Sequence, residues 1–301
     1  MNRLAALLRL PRTAAARLSP TLRGMLWTVA AGLVFTFLNT TMRMLTIDLP
    51  PFETQFLRYF FGIVVMVPFV LRGGLAAYRP NGLAGQMWRG VVHTSGLLLW
   101  FLALPHITLA DMTALGFTSP IFVMLGATLV LGEKLRADRL VAAAIGFAGV
   151  LIVLGPNLSG AGGVYNLVML ASSPLFAASF LITKALTRRD RPEVIVVWQA
   201  ITVAAFSLPF ALIGWIWPSP GQALAFLACG VLGSSAHYCV NRGLRATDIS
   251  ATQSVKFLDL IWNATAGFIV FADVPPQTTF LGGMVIFVAT TWIARREARR
   301  R

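Results

Sequence analysis

Residues 249–271, ISATQSVKFLDLIWNATAGFIVF, form an apolar run that nevertheless carries Gln253, Lys256, Asp259 and Asn263. A membrane-crossing helix needs about 20 mostly apolar residues, so the run is long enough to span a bilayer. A lysine or aspartate near the centre of such a span costs roughly 2.5–3.5 kcal/mol on insertion scales. That cost is tolerated where the side chain faces protein or a water-filled cavity, and such residues often mark a transport path. At helical spacing the four polar residues share one face. A single polar stripe on an apolar helix implies a polar interior enclosed by other helices.

The rest of the chain supplies those helices. It is 57% hydrophobic and only 12% charged, with a mean hydropathy of +0.74. An ordinary soluble domain is about 25% charged. The apolar runs are continuous rather than alternating, which disfavours a β-barrel. The fold class read from this pattern is an all-α integral membrane protein. About ten spans are expected, near 24–46, 54–71, 83–104, 108–131, 137–155, 163–185, 193–216, 221–243, 249–271 and 277–294.

The net charge of +14 raises the question of nucleic acid, but the basic residues sit in short clusters between apolar runs, where they orient a membrane protein. With the N-terminus in the cytosol, inside segments hold clusters such as Arg72, Arg79 and Arg89, or Lys184, Arg188, Arg189 and Arg191. Of the 25 basic residues, 22 are assigned to the inside segments, and the remaining three, Arg43, Arg58 and Lys256, lie within or at the ends of spans. Both termini are therefore expected on the cytosolic side. Residues 1–23 read as a basic cytosolic tail rather than a signal peptide, because Arg9, Arg12 and Arg17 interrupt any apolar core. Residues 295–301 form a second basic tail. Cys229 and Cys239 have no metal-ligand spacing, and neither a metal nor a cofactor is expected.

A shift of 140 positions aligns landmarks without a gap: Glu53 with Glu193, Gly90 with Gly230, Ser95 with Ser235, Glu133 with Asp273. Five spans per half put the second half into the bilayer from the opposite side. The expectation is two inverted five-helix repeats, at 24–155 and 161–294, an architecture associated with alternating access around a midplane site.

Several motifs recur at corresponding places. Val130-Leu-Gly-Glu133 closes a span in the first half and Val270-Phe-Ala-Asp273 in the second, each followed by a Gly- and Ala-rich span. The first half has Phe56-Leu-Arg58-Tyr-Phe. The second has Ala236-His237-Tyr238 before Arg242-Gly-Leu-Arg245, then Leu260-Ile-Trp262-Asn-Ala-Thr-Ala-Gly267. Over nearly its whole length the chain resembles the drug/metabolite transporter superfamily, specifically proteins built from two EamA-type repeats. The departures are Asp273 in place of the usual glutamate, Leu260 opposite Pro120, and Lys256 where an aromatic is common. The resemblance implies a secondary transporter in a bacterial inner membrane, leaning towards export, with the fourth and ninth spans lining the cavity.

The candidate substrate-binding residues are Lys256, Asp259, Gln253, Asn263 and Trp262 on the ninth span, and Ser119 and Thr113 on the fourth. His93 and Trp100 on the third and Tyr238 on the eighth complete the set. Lys256 and Asp259 are one turn apart, where they either form a self-neutralising pair or meet substrate or a proton. Ser119 precedes Pro120, which removes a backbone hydrogen bond and bends or loosens the fourth span. His93 either relays a proton or satisfies a neighbour. Arg43, Arg58, Glu53 and Asp111 lie toward the outer side, as a gate or a stabilising salt-bridge network. The small residues at 142–149 suit close helix contacts within the chain or in a homodimer.

The function expected is secondary transport of a small polar or zwitterionic metabolite, such as an amino acid or related compound, by alternating access. The partners are that substrate, the bilayer and a coupling proton. No nucleotide-binding fingerprint is present. The alternatives are an intramembrane lipid-modifying enzyme or a non-transporting scaffold. No HExxH, GxSxG or paired-carboxylate set supports the enzyme.

Overall fold

The computed structural model describes residues 18–107, 109–116, 118–132, 136–154, 163–253, 255–256, 258–272 and 277–298. Its helices are α1 (Pro20–Asp48), α2 (Pro51–Gly73), α3 (Leu83–Ala103), α4 (Leu109–Gly116), α5 (Ser119–Leu131), α6 (Ala137–Leu154), α7 (Gly163–Leu186), α8 (Pro192–Ala211), α9 (Pro220–Ala246), α10 (Ile249–Gln253), α11 (Leu258–Phe271) and α12 (Gln277–Ala298). No strand occurs among the described residues.

Helix starts follow from local chemistry. α1, α2, α8 and α9 each begin with proline, whose fixed φ suits the first helical position and whose missing N–H is not needed there. Ser19 Oγ caps α1 by accepting from Leu22 N at 3.2 Å. Ser219 and Gln222 cap α9 reciprocally, at 3.3 and 2.8 Å. Such caps satisfy donors that a bilayer cannot hydrate.

Among the described residues, five helices (α1, α2, α7, α8 and α9) are long and apolar enough to cross a membrane. Large apolar side chains point outward, with Ile47 74%, Leu129 84% and Trp217 83% exposed. Small or polar residues such as Thr36, Gln86, Ser172 and Thr183 are buried. That arrangement is the reverse of a soluble protein and fits one whose solvent is lipid. The chain is a multi-pass helical membrane protein.

The principal helix contacts are α1 with α9, α3 with α7, α2 with α8, and α6 with α12. α5 packs on α7 and α11 on α1, while α4 meets α11 and α10 meets α5. Ala142 and Ala143 on α6 are buried within the chain, so this part of the small-residue stripe serves internal packing.

The fourth and ninth spans differ from expectation: neither is one continuous helix. The fourth divides into α4 and α5, with Pro120 in the first turn of α5 and Thr118 N bonded back to Leu115 O at 3.2 Å. The ninth divides into α10 and α11. There Leu258 N bonds to Val255 O at 3.2 Å and Asp259 N to Lys256 O at 2.9 Å, tightening the chain into a turn. Lys256 therefore lies in the break and Asp259 in the first turn of α11, an end where backbone N–H groups favour an acidic side chain. The polar stripe is divided between a turn and a helix start, not carried on one helical face.

Candidate functional site

Between the two broken spans and helices α1, α2, α3, α7 and α9 lies a cavity of about 230 Å³. One wall belongs to the breaks and to α1, with Lys256, Asp259, Asn263, Ser119, Thr28 and Gly32. A second part of the lining carries Arg58, Tyr59, His93 and His237. Phe35, Trp100, Phe176 and Phe180 supply aromatic surface between them.

On the first wall the charges are not paired with each other. Lys256 Nζ lies 4.3 Å from the centre of the Phe180 ring, a cation–π contact, and makes no ion pair with Asp259. Close approach of α1 to α11 depends on Gly32, where an added Cβ would run into Asp259 Oδ1. Asn263 Nδ2 donates to Asp259 O at 2.8 Å, but its Oδ1 is buried with no partner among the described residues. Ser119 Oγ is in the same condition. Polar atoms so placed favour occupation by a ligand that can bond them.

The second wall is tied together. Arg89 Nη2 donates to Gln199 Oε1 at 2.7 Å, and Arg89 Nε donates to Thr183 Oγ1. The bond from Arg89 Nη2 to Oε1 fixes the orientation of the Gln199 amide. Gln199 Nε2 then donates to His93 Nε2 and to His237 Nε2, each at 3.0 Å. Tyr59 Oη donates to His93 Nε2 at 3.2 Å, and Arg58 Nη2 to His237 Nε2 at 3.5 Å. Both imidazoles therefore accept at Nε2 and carry a proton on Nδ1, which in His93 points to Ser179 Oγ at 3.1 Å. The hydrogen-bond pattern assigns this tautomer. Both histidines are uncharged, and the charge of this network resides on Arg58 and Arg89.

The sequence candidates thus separate. Lys256, Asp259, Asn263, Ser119, His93 and Trp100 meet at the cavity. Arg58, expected at the outer gate, joins them and turns to His237. Glu53 instead accepts from Ile216 N at 2.9 Å, and Arg43 stacks over Phe271 at 4.2 Å. Tyr238 lies off the cavity against Trp27, with ring centres 6.2 Å apart. Trp262 does not line the cavity, and its indole nitrogen is buried. The side chains of Gln253, Thr113 and Asp111 lie outside the described residues. Arg89 corrects the sequence reading. It was placed among the inside loop charges, yet it lies within α3, is only 3% exposed, and anchors the network.

The basic end of the bundle is closed by polar links. Lys184 Nζ donates to Leu244 O at 2.6 Å and also to Thr247 O. Arg139 pairs with Asp248 at 3.2 Å, and Arg296 reaches Asp138 at 3.2 Å. These contacts join α7, α6 and α12 to the α9–α10 connection and to one another. Among the described residues no group of three His, Cys, Asp or Glu side chains could hold a metal ion.

The profile of the EamA-like transporter family matches residues 22–155 and again 164–295. A riboflavin transporter of Rhizobium johnstonii is 36% identical over 280 residues, covering 92% of each chain. An S-adenosylmethionine uptake transporter of Rickettsia prowazekii is 27% identical, over 92% of this chain and 94% of the relative. A solved crystal structure superposes with a TM-score of 0.75 at 20% identity, over 92% of this chain and 98% of that one, a likeness of fold alone.

Proposed function

The chain belongs to the EamA-like transporter family, and from that premise we propose that it is a secondary transporter whose substrate binds in the central cavity. The observation that carries this reading is the pair Lys256 and Asp259, exposed to the cavity at the α10–α11 break without bonding each other. Broken helices at the centre of a transporter present backbone and side-chain polar groups to substrate and coupling ion. The cycle is a rocking of two inverted halves. Its support is the common offset: α4 starts at 109 and α10 at 249, while α6 starts at 137 and α12 at 277. Asp259 is the residue proposed to exchange the coupling proton. The setting is a bacterial inner membrane with both ends in the cytosol.

The substrate is a small metabolite that combines a planar ring with a polar or charged chain. Aromatic residues line the cavity between charged walls, and the names of the relatives supply riboflavin and S-adenosylmethionine as the first compounds to test. A narrower reading, an amino-acid-like zwitterion, is favoured by cavity charges of both signs, Arg58 and Lys256 against Asp259.

The test is uptake into proteoliposomes of labelled riboflavin, S-adenosylmethionine and amino acids, with and without a pH gradient. Saturable flux of one compound, lost in Asp259→Asn, is expected. Absence of flux for the whole set would contradict the proposed substrate class. Undiminished flux in Asp259→Asn would remove that residue from the site.

A further inference from the structure

Adjoining the main cavity at Arg58, Tyr59 and His237 is a second chamber of about 20 Å³ between α2, α8 and α9. A buried space needs roughly 10–15 Å³ to hold one water-sized occupant, so this one admits a single small species. One hydrogen-bond donor without a partner among the described residues and one hydroxyl reach it. The donor is Arg58 Nε, buried on a side chain only 7% exposed. The hydroxyl is that of Ser234, which borders the same chamber. The space exists because its walls include Gly62, Gly230 and Gly233. A Cβ added at Gly233 would lie 3.4 Å from Arg58 Nε, inside the region the occupant needs.

Charge decides what kind of occupant fits. Arg58 and Arg89 put two cations into the bundle interior, and their polar partners are Gln199, Thr183 and His237, all uncharged in this bonding pattern. Among the described residues no carboxylate pairs with either guanidinium. Glu53, on the same helix as Arg58, accepts from Ile216 N, and Asp259 lines the main cavity but not this chamber. Uncompensated charge in low-dielectric surroundings is costly. An unpartnered guanidinium N–H in a chamber beside two uncompensated cations favours an anion over water, because an anion accepts the hydrogen bond and also offsets buried charge.

We propose that this chamber is a binding site for one monatomic anion of chloride size, held by Arg58 Nε–H and the Ser234 hydroxyl and separate from the substrate site. The anion neutralises one of the two buried guanidiniums and fixes the contact of α2 with α9.

The test uses the purified full-length protein in detergent with no transported compound present, so it is independent of the substrate reading. The melting temperature is measured in chloride, bromide and gluconate at equal ionic strength. Stabilisation that saturates with chloride or bromide, and is absent in gluconate, is expected. Ser234→Ala should raise the chloride concentration for half effect by about tenfold, the loss of one hydrogen bond to a charged group. Gly233→Ala fits without a clash and should abolish the halide effect while the protein stays folded. Crystals grown in bromide should show an anomalous peak beside Arg58 Nε. Equal melting temperatures in all three salts, or a chamber without a bromide peak, would overturn the assignment and leave a water there.

Discussion

Across one cavity, two walls treat their polar groups in opposite ways. On the α2–α3–α8–α9 side, Arg89, Gln199, His93, His237 and Tyr59 bond to one another in a continuous chain. On the side of the broken spans, Lys256 rests on Phe180, Asp259 sits over Gly32, and Ser119 Oγ and Asn263 Oδ1 have no partner among the described residues. A tied network holds its geometry whether or not a ligand is bound. A wall of unbonded polar atoms is costly until something fills it. The contrast sets a tied scaffold against the proposed binding surface, although both face the same space.

The largest effect on this contrast is expected from Asp259→Asn. Removing one partner of a desolvated charge contact costs about 2–5 kcal/mol, so flux should fall by roughly 100-fold with the melting temperature little changed. A large loss of stability instead would move Asp259 to the scaffold. Arg89→Met should do the opposite. It strands the Gln199 carbonyl and should destabilise the protein by about 2–3 kcal/mol, the worth of hydrogen bonds to a buried charge. Thermal unfolding reads this directly, and an unchanged curve would break the distinction.

Gly32→Ala sharpens the comparison at one atom. The added methyl collides with the Asp259 carboxylate, and overpacking of this kind costs about 1–3 kcal/mol. Flux should drop by about tenfold if the carboxylate must keep its place. A smaller effect is expected from Lys256→Met, which keeps the stem over Phe180 but loses a cation–π contact of about 0.5–2 kcal/mol. The measurement is substrate KM, which should rise several-fold. The smallest change belongs to Glu53→Gln, away from both walls. It retains an acceptor for Ile216 N and should shift stability by less than about 1 kcal/mol.

Much of the open wall was legible in the sequence, because a charge inside an apolar run is conspicuous wherever the fold takes it. Lys256, Asp259 and Asn263 were visible for that reason, and Ser119 through its proline neighbour. The break between α10 and α11 was not, since no proline or glycine stands between them in the sequence. Its clue was the common offset from the break before Pro120. Once the helix is interrupted, spacing no longer predicts which face a residue takes, and Trp262 misses the cavity although one turn from Asp259. The tied wall was largely hidden. Arg89 meets Gln199 across 110 positions, and Gln199 meets His93 across 106. Pairings over such distances leave no local pattern. Counting basic residues near span ends registers the sign of Arg89 but not its burial, though its place seven residues into an apolar run was a signal that it faces inward.

A transport path through the cavity between the broken helices must be reachable from both sides of the membrane during the cycle. Asn39, half-buried on α1, lines it. Asn39→Cys in a background with Cys229→Ala and Cys239→Ala, reconstituted in one orientation, can be treated with a membrane-impermeant maleimide from either side. Modification from both sides, with riboflavin slowing both reactions if it is the substrate, is predicted. Modification from one side only, with a fully active transporter, would contradict the assignment of this cavity as the transport path.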